Sequence, residues 1–217
     1  MKRILLLFLL TVYPVAASSA DDAQTSQNRP HWSFELKGGL FYPSIGNWKQ
    51  FYGDDSTPQY GLAFSYKILR MLEFGIEGDY IQDNGQGFAP THGTVAGNVT
   101  YKLYPINIFV LIRGIINENQ WVVPYVGGGY TYMYYREQIQ YQSTISGHTD
   151  GIHGRAGLQF LLDGLDQSAA DSFYRDIGVY HTYLFGEVQY CRALVNTSSG
   201  SVNLGGWSYI GGLLFEF

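Results

Sequence analysis

Bond-making chemistry in this chain would have to draw on His92, His148, Asp150 and His153, with Ser143 and Ser146 close by. A serine hydroxyl attacks an acyl carbon once an imidazole takes its proton, and a carboxylate can orient that imidazole. The same histidines and Asp150 offer donors for a metal ion. Neither set has the frame such chemistry needs: no nucleophile motif surrounds the serines, and the spacing matches no ligand pattern with supporting partners. Solvated side chains in and beside loops are the plainer reading, and no cofactor or metal is expected. Gly127-Gly128-Gly129 is not followed by a helix opening on Lys-Ser/Thr, so it reads as close strand packing rather than a phosphate loop. Asn98-Val99-Thr100 matches a glycosylation sequon but falls within a strand, and it is set aside.

Composition restricts the classes further. Of 217 residues 46% are hydrophobic and only 14% charged, whereas soluble domains carry roughly a quarter charged residues. Met1-Lys2-Arg3, an apolar run over 4–12 and Ala16-Ala17-Ser18-Ser19-Ala20 have the order of a secretory signal, expected to be removed after Ala20. That removal takes away two of the 13 basic residues and moves the formal net charge from −5 to −7, a balance that does not invite nucleic acid. Cys191 is the only cysteine, so an exported chain has no intramolecular disulfide and no cysteine-based metal cluster. It reads as a small residue of a strand wall, and His181 as an interfacial residue at a strand end.

The elements that would position these residues show period-two alternation, the pattern of strands with one apolar face. The expected domain layout is a signal at 1–20, a flexible segment at 21–31 and a barrel at 32–217. Trp32, Phe34, Leu36, Leu40 and Tyr42 share a parity in the first strand, against Glu35 and Lys37. The pattern repeats over 59–68, with Lys67 on the polar side, and over 72–80, with Glu73, Glu77 and Asp79 there. In the fourth segment Val95, Val99, Tyr101 and Leu103 form the apolar parity, which is expected to slip at Pro105 so that Ile106, Ile108, Val110 and Ile112 face out while Asn107 and Arg113 face in. Strands follow at 121–136, at 151–162 with His153 and Arg155 inward, and at 179–194 with Glu187 inward. Asp166 caps a short helix expected over 166–175. The last strand, 206–217, sets Trp207, Tyr209, Leu213, Phe215 and Phe217 against Ser208, Gly212 and Glu216.

The mixed face distinguishes lipid from a sandwich core as the solvent of the apolar one. It carries Gly, Ala and Ser together with Glu35, Lys37, Lys67, Glu73, Glu77, Asp79, Lys102, Arg113, Arg155 and Glu187, charges of both signs. Small residues suit the narrow interior of an eight-stranded barrel, and the charges are expected to pair across it. Long links at 43–58, 82–94, 136–150 and 195–202 alternate with short ones at 69–71 and 117–120, as in outer-membrane barrels, and aromatic residues gather near strand ends. The expected fold is all-β: an eight-stranded antiparallel transmembrane up-and-down barrel with a short periplasmic helix.

Two motifs carry a resemblance. The alternation Trp207, Tyr209, Leu213, Phe215, Phe217 resembles the C-terminal assembly signal of Gram-negative outer-membrane proteins. Pro124-Tyr125-Val126-Gly127-Gly128-Gly129-Tyr130 is similar to a segment of small barrels of the outer membrane protein A, W and opacity-porin type. The resemblance implies residence in the outer membrane, contact with its lipids and lipopolysaccharide, recognition by the barrel assembly machinery and a monomeric barrel. With no peptidoglycan-binding domain after Phe217, tethering to the cell wall is not implied. The long, mixed-sign interior points to a structural or surface-interaction role with a lumen largely closed by paired charges. A narrow channel for small or apolar solutes, with room left by Gly61, Ala63, Ser65 and Gly75, is the alternative. Because some such barrels modify the acyl chains of lipid A with His, Ser and acidic groups near the outer rim, that activity is a second alternative.

Overall fold

The computed structural model describes residues 30–46, 48–88, 95–117, 120–140, 144–197 and 200–217. The expected signal at 1–20 and positions 21–29 of the polar segment lie outside the described residues, as do His92 and Ser143. The strands are β1 Trp32–Pro43, β2 Thr57–Leu69, β3 Leu72–Phe88, β4 Val95–Arg113, β5 Val122–Ile139, β6 Ile145–Leu161, β7 His181–Thr197, β8 Gly200–Asn203 and β9 Gly206–Glu216. Helix α1 spans Trp48–Tyr52, and α2 spans Gln167–Ile177.

Each strand from β1 to β7 pairs antiparallel with the next, and β9 pairs with both β7 and β1. The result is one closed sheet of eight strands; β8 pairs only with β7, as a hairpin at one rim. Backbone bonds from His31 and Trp32 N–H to the Phe217 carbonyl, and from Phe217 N–H to the Trp32 carbonyl, complete the seam. Through the barrel wall, closure pairs every strand on both sides, where a sandwich would retain open edges.

Alternation places the two solvents. Outward residues remain exposed although apolar: Tyr60 is 62% exposed, Leu62 52% and Ile76 51%, within a belt that includes Phe64, Ile108, Val110, Leu184 and Tyr209. A contiguous apolar belt of this extent around a closed sheet is what hydrocarbon wets and water does not. The inward parity carries buried charges of both signs, among them Glu35, Lys37, Glu77, Arg155 and Glu187.

Three expectations are corrected. Parity does not slip at Pro105: Val99, Tyr101, Leu103, Asn107, Phe109, Leu111 and Arg113 are all buried on one continuous inward face, and the β4 ladder runs unshifted past Pro105, which pairs with Met133. The alternation misled here because the lumen beside Val99, Tyr101 and Leu103 is itself apolar, so both faces of the strand are greasy. The links at 82–94 and 136–150 are mostly strand, since β3 to β6 continue as hairpins to Phe88, Val95, Ile139 and Ile145. The link at 43–58 contains α1, whose five residues are too few for a helical period to register.

Helix α2 starts and ends as its sequence dictates. The Asp166 carboxylate accepts from Ala169 N–H at 3.0 Å, and Gly178, at φ 74°, turns the chain out of the helix while its N–H bonds back to the last turn. None of its residues is buried.

Candidate functional site

The lumen is layered, and its layers follow strand position. Nearest the end that carries Trp32 and Phe217, Arg113 from β4 donates to Glu216 of β9, reaches the Gln159 amide oxygen at 2.5 Å and lies 3.8 Å from Glu73. Lys67 joins Glu216 at 2.5 Å. Ser65 donates to Glu73 at 2.5 Å, and Ser33 reaches the same carboxylate. The Tyr183 ring lies 5.3 Å from the Arg113 guanidinium carbon.

The next layer gathers four strands around one guanidinium. Arg155 of β6 donates to Glu187 of β7 at 2.5 Å, to Glu77 of β3 at 3.0 Å and to Glu35 of β1 at 3.0 Å. Lys37 contacts Glu77, lies 3.1 Å from Glu187 and 3.8 Å from Glu35. Tyr125 donates to Glu187 at 2.9 Å, and the Phe109 ring packs 4.7 Å from the guanidinium carbon. Asn107 bridges Glu77 and Asp79, and Thr131 links Asn107 to His153 Nδ1. Buried charges persist only when paired and hydrogen-bonded, and this planar cation satisfies three carboxylates at once.

Beyond this layer the interior turns apolar. Phe41, Ile81, Tyr101, Leu103, Met133, Ala193 and Leu204 form a cluster with Trp48, which α1 carries into the barrel mouth. Trp48 stacks on Tyr52 at 4.0 Å and meets Tyr101 edge-on at 5.3 Å. Among the described residues, Trp48 Nε1 and the Tyr101 hydroxyl are buried without a hydrogen-bond partner. Burial raises the Tyr52 phenol above its ordinary range, with the nearby Glu137 charge adding to the effect. Burial likewise raises the Glu137 carboxyl.

Of the ten charges assigned to the lumen, nine are inward and brought together as described. Lys102 is the exception and is corrected: it lies on the outward parity of β4, directly opposite Arg136 of β5, because the parity through Pro105 is unbroken. Glu216, Asn107, Gln159, Thr131 and Ser33 also belong to the networks; Asn107 and Glu216 already stand on the polar side of their strands in the sequence, and inward parity is the signal that reaches the other three. Gly61 and Gly75 leave no gaps. A Cβ on Gly61 would collide with the Asp79 carboxylate, and one on Gly75 would meet the Phe109 ring and Ser65. Trp207, Tyr209 and Phe217 are exposed on the outward face of the terminal segment, with Leu213 and Phe215 half-buried on the same parity.

The rim residues do not converge. His148 and Asp150 face outward from β6, stacked on Tyr132 and accepting from the Tyr130 hydroxyl respectively, whereas His153 is buried in the lumen. Ser146 is exposed. Among the described residues, no group of three His, Cys, Asp or Glu side chains is arranged to hold a metal ion.

Closure, strand number and a charged interior define an eight-stranded antiparallel barrel, a fold this chain shares with small outer-membrane proteins of known structure. Among solved structures, the outer membrane protein OprG from Pseudomonas aeruginosa superimposes with a TM-score of 0.57 at 19% identity, over 88% of this chain and 98% of that one. Neisserial surface protein A gives 0.55 at 12% identity, over 86% and 97%. The N-terminal barrel domain of Pseudomonas aeruginosa OprF gives 0.50 at 10%, over 87% and 98%. No family model and no curated protein matches the sequence.

Proposed function

We propose that this chain is a monomeric integral protein of a bacterial outer membrane, with a structural or surface-interaction role and a lumen closed to ions by its paired charges. The observation that carries the reading is the set of contacts from Arg155 to Glu35, Glu77 and Glu187, which ties β1, β3, β6 and β7 across the interior. An ion entering would have to displace bonds that satisfy buried charges, a loss of several kcal/mol. The end with short connections faces the periplasm, and the terminal segment with Trp207, Tyr209, Leu213, Phe215 and Phe217 is the element read by the barrel assembly machinery. In planar bilayers the purified protein is expected to show no steady conductance, and Arg155→Ala to show intermittent openings. Persistent single-channel steps from the unaltered protein would overturn the closed lumen.

A second reading rests on the apolar cluster at the mouth, which favours passage or binding of a small apolar solute over an ion. The unpartnered Trp48 Nε1 and Tyr101 hydroxyl would meet a polar group at one end of such a solute. Uptake of the apolar dye N-phenylnaphthylamine into cells producing the protein tests it. Faster uptake than in control cells, rising further with Trp48→Ala, supports this reading, and unchanged uptake in both removes it.

A further inference from the structure

One row of polar side chains on the outward face has no role in the reading above. Gln82, Lys102, Arg136 and Ser146 are successive cross-strand neighbours on β3, β4, β5 and β6. Two residues nearer the membrane belt on β3, β4 and β5 stand Tyr80, Tyr104 and Tyr134, whose ring centroids lie 5.4 and 6.0 Å apart in sequence. Such rings sit at headgroup depth, and two residues of strand add roughly 7 Å, so the polar row lies among the headgroups.

Lys102 and Arg136 are directly opposite one another, an arrangement of like charges that is unfavourable without an anion between them. Among the described residues, neither has an acidic partner. Tyr101 and Leu103, which flank Lys102, are buried on the inward face, so the cation lies on the outer side of the wall. Gln82 accepts from the Tyr80 hydroxyl through its amide oxygen, which leaves its amide N–H groups to donate. A guanidinium fork, an ammonium, an amide and a hydroxyl in one row match the oxygens of a phosphate. The chain as a whole carries a formal −5, so this cation pair is local and not a general basic surface.

We infer that this row binds a phosphate of a phosphorylated glycolipid headgroup in the outer leaflet. The inference rests on the membrane reading proposed above. It is tested by native mass spectrometry of the detergent-extracted protein with added bisphosphorylated lipid A, the unaltered chain being compared with the double variant K102Q/R136Q. A charge-matched control, K49Q/R175Q, alters exposed cations away from the row. One lipid A adduct is expected on the unaltered and control proteins, weakened about tenfold in K102Q/R136Q by loss of two charge-assisted contacts. Equal adduct in K102Q/R136Q would overturn the site. Displacement of lipid A by equimolar inorganic phosphate would also overturn it, in favour of a free-anion site. The swap K102R/R136K keeps both charges and is expected to retain the adduct, which guards against a folding defect in the double variant. Fractionation of cells for a heat-modifiable band in the outer membrane reads the membrane assignment separately.

Discussion

Arg155 is the side chain on which most of the interior depends, because three glutamates from three strands end on it. Arg155→Met leaves those carboxylates with Lys37 as their one cation among the described residues and is expected to cost about 3–5 kcal/mol. The shift is read as a lower urea midpoint in lipid vesicles, and adding Glu187→Gln to that variant should restore part of it. Phe217 tests a different property. Its seam bonds are made by backbone atoms, so Phe217→Ala is expected to leave the unfolding midpoint nearly unchanged while slowing assembly in cells, measured as the heat-modifiable fraction over time. At this scale much was legible, since inward parity alone located Glu35, Lys37, Glu77, Arg155 and Glu187. Lys102 was not, because alternation reports which residues share a face and says nothing of which face meets lipid where both are apolar.

The two helices differ in what holds them. α2 rests on its own caps and buries nothing, so Asp166→Ala is expected to cost about 1 kcal/mol locally. Faster hydrogen exchange across 167–177 with an unchanged barrel midpoint would be its signature. Its cap and length were legible because the capping residue and the change of period are local signals. α1 depends on burial of Trp48, and nothing in five residues announces that. The mouth it closes is also sensitive to pH through Glu137 on β5. Burial raises that carboxyl above 4.5, so the folded state holds the proton more tightly than the unfolded chain. Stability of the mouth is therefore highest in acid and declines as pH rises through and above that value. Glu137→Gln should flatten the decline, followed by quenching of Trp48 fluorescence in a chain whose other tryptophans are replaced by phenylalanine.

At the scale of the whole molecule, strand count, order and closure followed from alternation and link lengths, which are repeated eight times and so survive local misreadings. The β8 hairpin and the extension of β3 to β6 beyond the belt did not, because those residues are polar on their exposed side and resemble loops. The layered interior, ionic near the chain ends and apolar at the mouth, was legible only in its first half. Charge marks the inward face only in that half; at the mouth an inward tyrosine, leucine or methionine has the same chemistry as a lipid-facing one, and alternation cannot separate them.

Because inside and outside alternate without interruption along every wall strand, the barrel also constrains how its gene can change length. Adding or deleting a single codon within a strand would turn each subsequent side chain through the wall, sending carboxylates into hydrocarbon and bulky rings into a space already filled. Length variation among natural versions of this protein should therefore fall in the connecting segments, or come in pairs of residues where it enters the wall.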